Sequence, residues 1–220
     1  MNFQFRNNVT LIGGAKCSSQ ILDEALTLAP ILLAADGGAG RALALGHAPE
    51  LVIGDMDSLE DSTIAALPGA VFHPIHEQDS TDFDKALRSI EAPLVLGVGF
   101  LGGRLDHSLA SLNVLVTYSQ RPCILIDDED ICFHVPKALK LNLPPASRLS
   151  LFPMAQIVAQ ATGLRHPVEA LEMRPAGQIG TSNAVGPSGR VSLAFDRPGM
   201  VVILPRAALG VAIKALQAGP

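Results

Sequence analysis

Ile31-Leu32-Leu33-Ala34-Ala35-Asp36-Gly37-Gly38 reads as five apolar residues running into an acid and two glycines. Successive side chains of a strand point to opposite faces, so a run apolar at every position needs cover on both faces. The same grammar recurs upstream and downstream. Short apolar runs alternate with amphipathic stretches at residues 9–13 and 18–28, 31–35 and 40–45, 51–54 and 62–67, 71–75 and 81–90, 94–98 and 105–119, ending at 123–126. Strands of this kind separated by helices predict a parallel sheet with helices on both faces. In such sheets ligands sit at the C-terminal strand ends.

That rule directs attention to the loops. The run 31–35 ends in Asp36-Gly37-Gly38, and 51–53 ends in Gly54-Asp55-Met56-Asp57. The run 71–75 leads to Asp79-Ser80-Thr81-Asp82-Phe83-Asp84-Lys85, and 94–98 leads to Gly99 and on to Gly102-Gly103-Arg104-Leu105-Asp106-His107. Beyond about residue 130 the texture changes to short β-like runs at 131–135, 139–143, 148–152, 156–160, 191–195 and 200–204, broken by Pro and Gly, and a terminal helix over 206–218. Close spacing without helices predicts a small antiparallel sandwich or barrel. The expectation is an α/β chain: a parallel-sheet, Rossmann-like α/β domain over residues 1–130, then a smaller all-β sandwich over 131–220.

Composition narrows the function classes. With 220 residues and 48% hydrophobic content the chain can fill a substantial core, which excludes a disordered or fibrous protein. A net charge of -5 and no Lys/Arg run argue against nucleic acid or anionic lipid as a partner. No window approaches the roughly 18 apolar residues of a membrane span, and residues 1–8 do not read as a secretory leader. Cys17, Cys123 and Cys132 are scattered, without a C-x-x-C pair, and read as core thiols of a cytoplasmic protein.

Three constellations carry chemistry. Asp55 and Asp57, two apart in a turn, can converge on one cation, and Mg²⁺ takes few carboxylates together with waters and phosphates. Helix capping by Asp57 and Ser58 is the plainer alternative. Asp82 and Lys85 share a helix face, with Thr81 placed to cap. Acids in a first turn complement the helix dipole, but a cluster this dense beside a second acidic loop repels itself unless a cation is present. Lys85 would then meet a phosphate. Gly97-Val98-Gly99-Phe100-Leu101-Gly102 also matches the dinucleotide pattern G-x-G-x-x-G, with Asp127 placed 25 residues further on for a ribose. That rival leaves both acidic loops unused and puts Arg104, Asp106 and His107 where small apolar residues normally pack. Arg104 suits a phosphate clamp, and Asp106 a base or second metal ligand. The absence of G-x-x-x-x-G-K-[ST] excludes a P-loop.

Taken in order, Ala35-Asp36-Gly37-Gly38-Ala39, Gly54-Asp55-Met56-Asp57-Ser58-Leu59, Asp79-Ser80-Thr81-Asp82 through Lys85-Ala86-Leu87, and Gly102-Gly103-Arg104-Leu105-Asp106-His107 resemble the successive signatures of thiamine pyrophosphokinases. Gly163-Leu164-Arg165-His166-Pro167 and Thr181-Ser182-Asn183 resemble that family's second domain. The resemblance implies a homodimeric enzyme that transfers the diphosphate of Mg·ATP to the thiamine hydroxyethyl oxygen, releasing AMP. It implies Asp55, Asp57 and Asp82 as metal ligands, with Asp79, Thr81 and Lys85 beside the phosphates. Asp36, Gly37, Gly38, Gly102, Gly103 and Arg104 would border the nucleotide, and Ser182 and Asn183 the thiamine. Within that reaction, the residue type and place of Asp106 make it the expected group to accept or orient the hydroxyl proton. Where relatives carry an aromatic ring before the Pro, this chain has His166. The alternatives are a pyrophosphokinase acting on another small alcohol, such as a hydroxymethylpterin, and a dinucleotide-dependent oxidoreductase.

Overall fold

A computed structural model describes residues 2–218. Met1, Gly219 and Pro220, which belong to the terminal ends of the two expected domains, lie outside the described residues. The chain is mixed α/β. It divides into two compact units, one of Met1–Val114 with Leu125–Asp128, the other of Leu115–Ile124 with Glu129–Pro220.

The first unit contains strands β1 (Phe3–Gln4), β2 (Val9–Ile12), helix α1 (Ser19–Leu28), β3 (Ile31–Ala35), α2 (Gly38–Ala44), β4 (Leu51–Gly54), α3 (Asp61–Ala65), β5 (Val71–Pro74), α4 (Asp82–Ser89), β6 (Ile90–Glu91) and β7 (Val95–Val98). Helix α5 (Leu105–Thr117) and strand β8 (Cys123–Ile126) follow. Strands β7, β2, β3, β4 and β5 lie side by side and parallel, with Thr10 opposite both Leu32 and Leu96, and Ala34 opposite Val52. Every residue of β2, β4 and β7 is buried, as strands covered on both faces require, and the one polar side chain among them, Thr10, donates its hydroxyl to Ala29 O at 2.7 Å. Edge strand β5 is wet, with Val71 exposed and Pro74 at its end, where a missing N–H does no harm. Helix α1 starts where Ser18 Oγ accepts from Ile21 N, and α4 where Thr81 Oγ1 accepts from Asp84 N.

The strand order matters for the site. From β2 the chain steps through β3, β4 and β5 in one direction, then places β7 on the other side of β2. Loops leaving β2 and β7 therefore diverge and leave a crevice at their C-terminal ends. Before they part, the first residues beyond β2 and β7 are joined, with Gly13 N donating to Val98 O (2.8 Å) and Ala15 N to Gly99 O (3.0 Å). A Cβ on Gly13 would meet Gly99 O at 2.6 Å, so the close approach requires glycine.

The second unit is built from β9 (Asp130–Val135), β10 (Ala138–Asn142), β11 (Arg148–Pro153), β12 (Ile157–Thr162), β13 (Val168–Met173), β14 (Gly180–Ala184), β15 (Arg190–Phe195) and β16 (Met200–Pro205), closed by α6 (Leu209–Ala218). Strands β14-β11-β16-β9 and β10-β15-β12-β13 are antiparallel neighbours. Strict alternation along β12 and β15 turns Ile157, Ala159, Ala161, Val191, Leu193 and Phe195 inward. Strands β13 and β14 have no counterpart among the sequence runs, because Glu169-Ala170-Leu171-Glu172 carries helical propensity and Gly180-Thr181-Ser182-Asn183 carries turn propensity. Pairing with β12 and β11 overrides both.

His134 is a buried member of this unit. Its Nε2 accepts a hydrogen bond from Gly199 N at 3.1 Å, and burial lowers its pKa to about 4. Its folded pKa lies below the ordinary value, so the unfolded chain takes up the proton first as pH falls. The stabilisation is complete above about pH 6.5 and is lost towards pH 4, a change of roughly 3 kcal/mol at most. Urea unfolding between pH 7 and 4 is expected to show a shallower stability loss in His134→Gln than in the unaltered protein. Equal slopes would show that another group governs acid unfolding.

Candidate active site

A cavity of about 730 Å³ opens at the C-terminal ends of β2, β3, β4 and β7. Its acidic wall is assembled from three loops. Asp36 sits at the end of β3 with φ 40, fully buried, and its Oδ1 accepts from Met56 N at 3.0 Å. A Cβ at Gly54 would lie 2.6 Å from Asp36 Cβ, so the glycine ending β4 makes room for this acid. Met56 itself has φ 70, a turn that carries Asp55 and Asp57 to either side of it, with Asp57 N donating to Asp55 Oδ1 at 3.3 Å.

The consequence is a carboxylate triplet. One oxygen from each of Asp36, Asp55 and Asp57 lies within 4.8 Å of the others. Asp36 Oδ2 is buried without a hydrogen-bond partner among the described residues. A carboxylate oxygen removed from water and left unpaired is costly, and a bound cation offsets that cost. All-oxygen donors in a loop open to ligand suit Mg²⁺, which completes its shell with waters and phosphates. The residues present therefore fit a magnesium ion. The sequence pattern placed Asp36 with the nucleotide, whereas the backbone groups it with Asp55 and Asp57, and Asp82 stands outside the triplet.

Helix α4 supplies the counter-charge. Lys85 is 1% exposed, and its Nζ reaches Asp55 Oδ2 at 2.5 Å and Asp82 Oδ1 at 3.6 Å. Burial opposes its charge, but the hydrogen bond to Asp55 and the charges of Asp55, Asp82 and Glu77 outweigh this and raise its pKa. The same Lys85 hydrogen bond lowers the pKa of Asp55. Asp82 is pushed up by burial and by the neighbouring charge of Asp36. Thr81 lines the cavity while its hydroxyl caps α4; Asp79 is exposed and outside the lining.

The opposite wall comes from the β7–α5 loop. Gly103, Arg104 and His107 line the cavity, with Phe100 and Ser111 deeper in. Arg104 forks onto Asp106, Nε to Oδ1 at 3.1 Å and Nη2 to Oδ2 at 2.6 Å, and both side chains are exposed. Asp106 does not line the cavity, and the Arg104 hydrogen bond lowers its pKa. Gly102 has φ 73 and lies against Asp127, where a Cβ would approach Oδ1 to 3.0 Å, a structural need for glycine. Gly37 lines the cavity, whereas Gly38 packs under β2, its missing Cβ 2.1 Å from Ile12 O. Gly13, Gly14, Gln78 and Ser80 also line the cavity. The sequence signal was present for the first two, glycines after an apolar run as at Asp36-Gly37-Gly38.

Ser182 and Asn183 belong to the second unit, on β14. Ser182 has φ 60, and its N donates to Ser150 Oγ at 3.0 Å. The Asn183 amide is taken up by backbone, accepting from His166 N (3.1 Å) and donating to His166 O (2.7 Å). It thereby docks the exposed His166 segment on the strand.

Known proteins share this chain's pattern. A model of the thiamin pyrophosphokinase catalytic domain matches residues 22–126. Thiamine pyrophosphokinase 1 of Arabidopsis thaliana is 32% identical over 191 residues, covering 71% of this chain and 72% of the relative. The chain belongs to the thiamine pyrophosphokinase family. Another member, thiamin pyrophosphokinase 1 of Caenorhabditis elegans, is 29% identical over 154 residues, covering 62% of this chain and 63% of that one. Among solved structures, yeast thiamin pyrophosphokinase superposes with a TM-score of 0.77 at 18% identity, covering 98% of this chain and 89% of that one. The Candida albicans family member superposes at 0.76 and 16% identity, covering 93% of each. At those identities the superpositions establish a shared fold. Family membership disfavours the dinucleotide oxidoreductase and the hydroxymethylpterin kinase.

Proposed function

We infer that this protein transfers the diphosphate of Mg·ATP to the hydroxyethyl oxygen of thiamine, giving thiamine diphosphate and AMP. The observation that carries the reading is the carboxylate triplet with an orphaned Asp36 oxygen, beside buried Lys85 in one cavity. Residues 1–130 act as a Rossmann-like domain for ATP and metal, and residues 131–220 as a β-sandwich that contributes to the thiamine site. Asp36, Asp55 and Asp57 would hold magnesium, with Asp82 beyond them. A bound ion there would supply charge neutralisation for the phosphate oxygens.

The chain's own groups do the rest. Lys85 and Arg104 present cations from opposite walls, and the backbone of Gly37 and Gly103 approaches the nucleotide closely, with Thr81 beside the phosphates. Asp79 stands with Thr81 near the phosphates, Gly38 lets α2 pack under β2, and Gly102 holds the β7–α5 turn. Phosphoryl-type transfer needs alignment and charge stabilisation more than a strong base. Asp106 serves by aligning Arg104, in place of taking the hydroxyl proton. Asp106→Asn is then expected to lower kcat about tenfold or less, with an unchanged pH–rate profile. A loss above a hundredfold together with disappearance of an acid limb would restore Asp106 as the base. Ser182 borders thiamine, Asn183 acts through the His166 segment, and the enzyme works as a homodimer. Three free cysteines support a reducing, cytoplasmic setting, and no helix among the described residues is long and apolar enough to cross a membrane.

Incubation with Mg·ATP and thiamine is expected to yield AMP and thiamine diphosphate in equal amounts. ADP as the nucleotide product would overturn diphosphate transfer. Turnover with a hydroxymethylpterin but not thiamine would move the acceptor.

A further inference from the structure

Arg41 stands apart from the other site residues. It projects from α2 with its Nε buried and unpartnered, and no ion pair or side-chain hydrogen bond engages it among the described residues. A guanidinium carries five N–H donors and no acceptor, so a buried unpaired N–H is a standing cost that an anion removes. Arg41 also lines a second cavity, of about 330 Å³, which shares Gly14, Gly37 and Ser58 with the main one. A ligand can thus run from the carboxylate triplet past Gly37 to Arg41. Small residues on that path, with no Cβ at 14, 37 or 40, leave its backbone open to close approach. Neither an aromatic ring nor a large apolar side chain lines the second cavity, which suits a polar, charged group over a stacked base.

Resting on the diphosphate-transfer reading, we propose that Arg41 and the cavity beside it bind the α-phosphate of ATP, the group that leaves as AMP. The diphosphate being transferred must lie in the main cavity with the triplet, Lys85 and Arg104. The part of the nucleotide that needs its own cation, away from the carboxylate triplet, is the leaving monophosphate, which Arg41 would hold in a cavity that Glu60 also lines. In the reaction the thiamine hydroxyl oxygen bonds to the β-phosphorus and the hydroxyl proton is released. The bond from the β-phosphorus to the α,β-bridging oxygen breaks, and its electron pair stays on that oxygen as part of AMP. Negative charge therefore grows on the α-phosphate, where a preorganised, poorly hydrated guanidinium stabilises it with two parallel N–H donors. Arg41 becomes a catalytic residue that binds the leaving group.

The test measures product inhibition and direct binding with AMP as the probe. Arg41→Gln and Arg41→Lys are compared with the unaltered enzyme for kcat, KM of ATP, KM of thiamine, and the inhibition constant of AMP. Calorimetric AMP titration without metal gives binding directly. Arg41→Gln is expected to weaken AMP about tenfold and lower kcat at least as much, with KM of thiamine unchanged. Arg41→Lys should recover part of both effects by keeping the charge without the fork. If the unaltered enzyme makes AMP but both variants bind AMP as tightly as it does, the proposal is overturned. Equal losses in thiamine and AMP binding, with a lowered Tm, would make Arg41 a structural residue and overturn it too. No AMP from the unaltered enzyme would instead sink the diphosphate-transfer reading.

Discussion

Asp36→Asn is expected to lower turnover on the order of 10²–10³-fold while the protein stays folded. The substitution isolates charge. Asn tolerates a positive φ better than most residues, and its retained carbonyl can still accept from Met56 N, so the tie between the β3 and β4 loops survives. What changes is the buried Oδ2, which has no hydrogen-bond partner among the described residues and becomes an amide N–H₂ that cannot ligate a cation. Magnesium dependence should shift with it, the variant needing a higher Mg²⁺ concentration for half-maximal rate. Turnover within threefold of the unaltered enzyme at equal Mg²⁺ would remove Asp36 from the metal site and return that role to Asp82.

Lys85→Met should lower stability by about 3 kcal/mol without divalent ions and activity by a further 10²-fold or more. Lys85 is the cation buried among Asp55 and Asp82, with Asp36 and Asp57 nearby. Removing it leaves the poorly exposed Asp55 carboxylate facing other acids. Magnesium offers the same compensation from the other side, so the gap in Tm between variant and unaltered protein should narrow when Mg²⁺ is added. A gap that ignores Mg²⁺, followed by thermal unfolding, would mean that the triplet does not bind the ion.

How much of this was readable beforehand differs between elements. The β3 run and its Asp36-Gly37-Gly38 exit were legible because a strand apolar at every position has one arrangement that covers it, a parallel sheet flanked by helices. Strands β13 and β14 were not, because their residues favour other local structure and only pairing partners distant in sequence hold them extended. The same contrast runs through the site. Asp55 and Asp57 announced themselves by spacing within one loop. The grouping of Asp36 with them depends on a hydrogen bond across 20 residues and on the missing Cβ of Gly54. Residue type offered Asp106 as a base or second metal ligand, whereas its fork onto Arg104 is visible only in the structure.

By itself the sequence determined the alternation of strands and helices, the placement of acids and glycines at strand ends, and a resemblance specific enough to name a family. These are local properties, written in periodicity and in residues a few positions apart. Only the tertiary structure decided which acids meet, that Lys85 is buried between two of them, that the Asn183 amide is spent on backbone, and that Arg41 Nε is buried without a partner among the described residues. Those outcomes turn on which loops the sheet order brings together, and charge and hydrogen bonding act over a few ångströms of space whatever the distance along the chain.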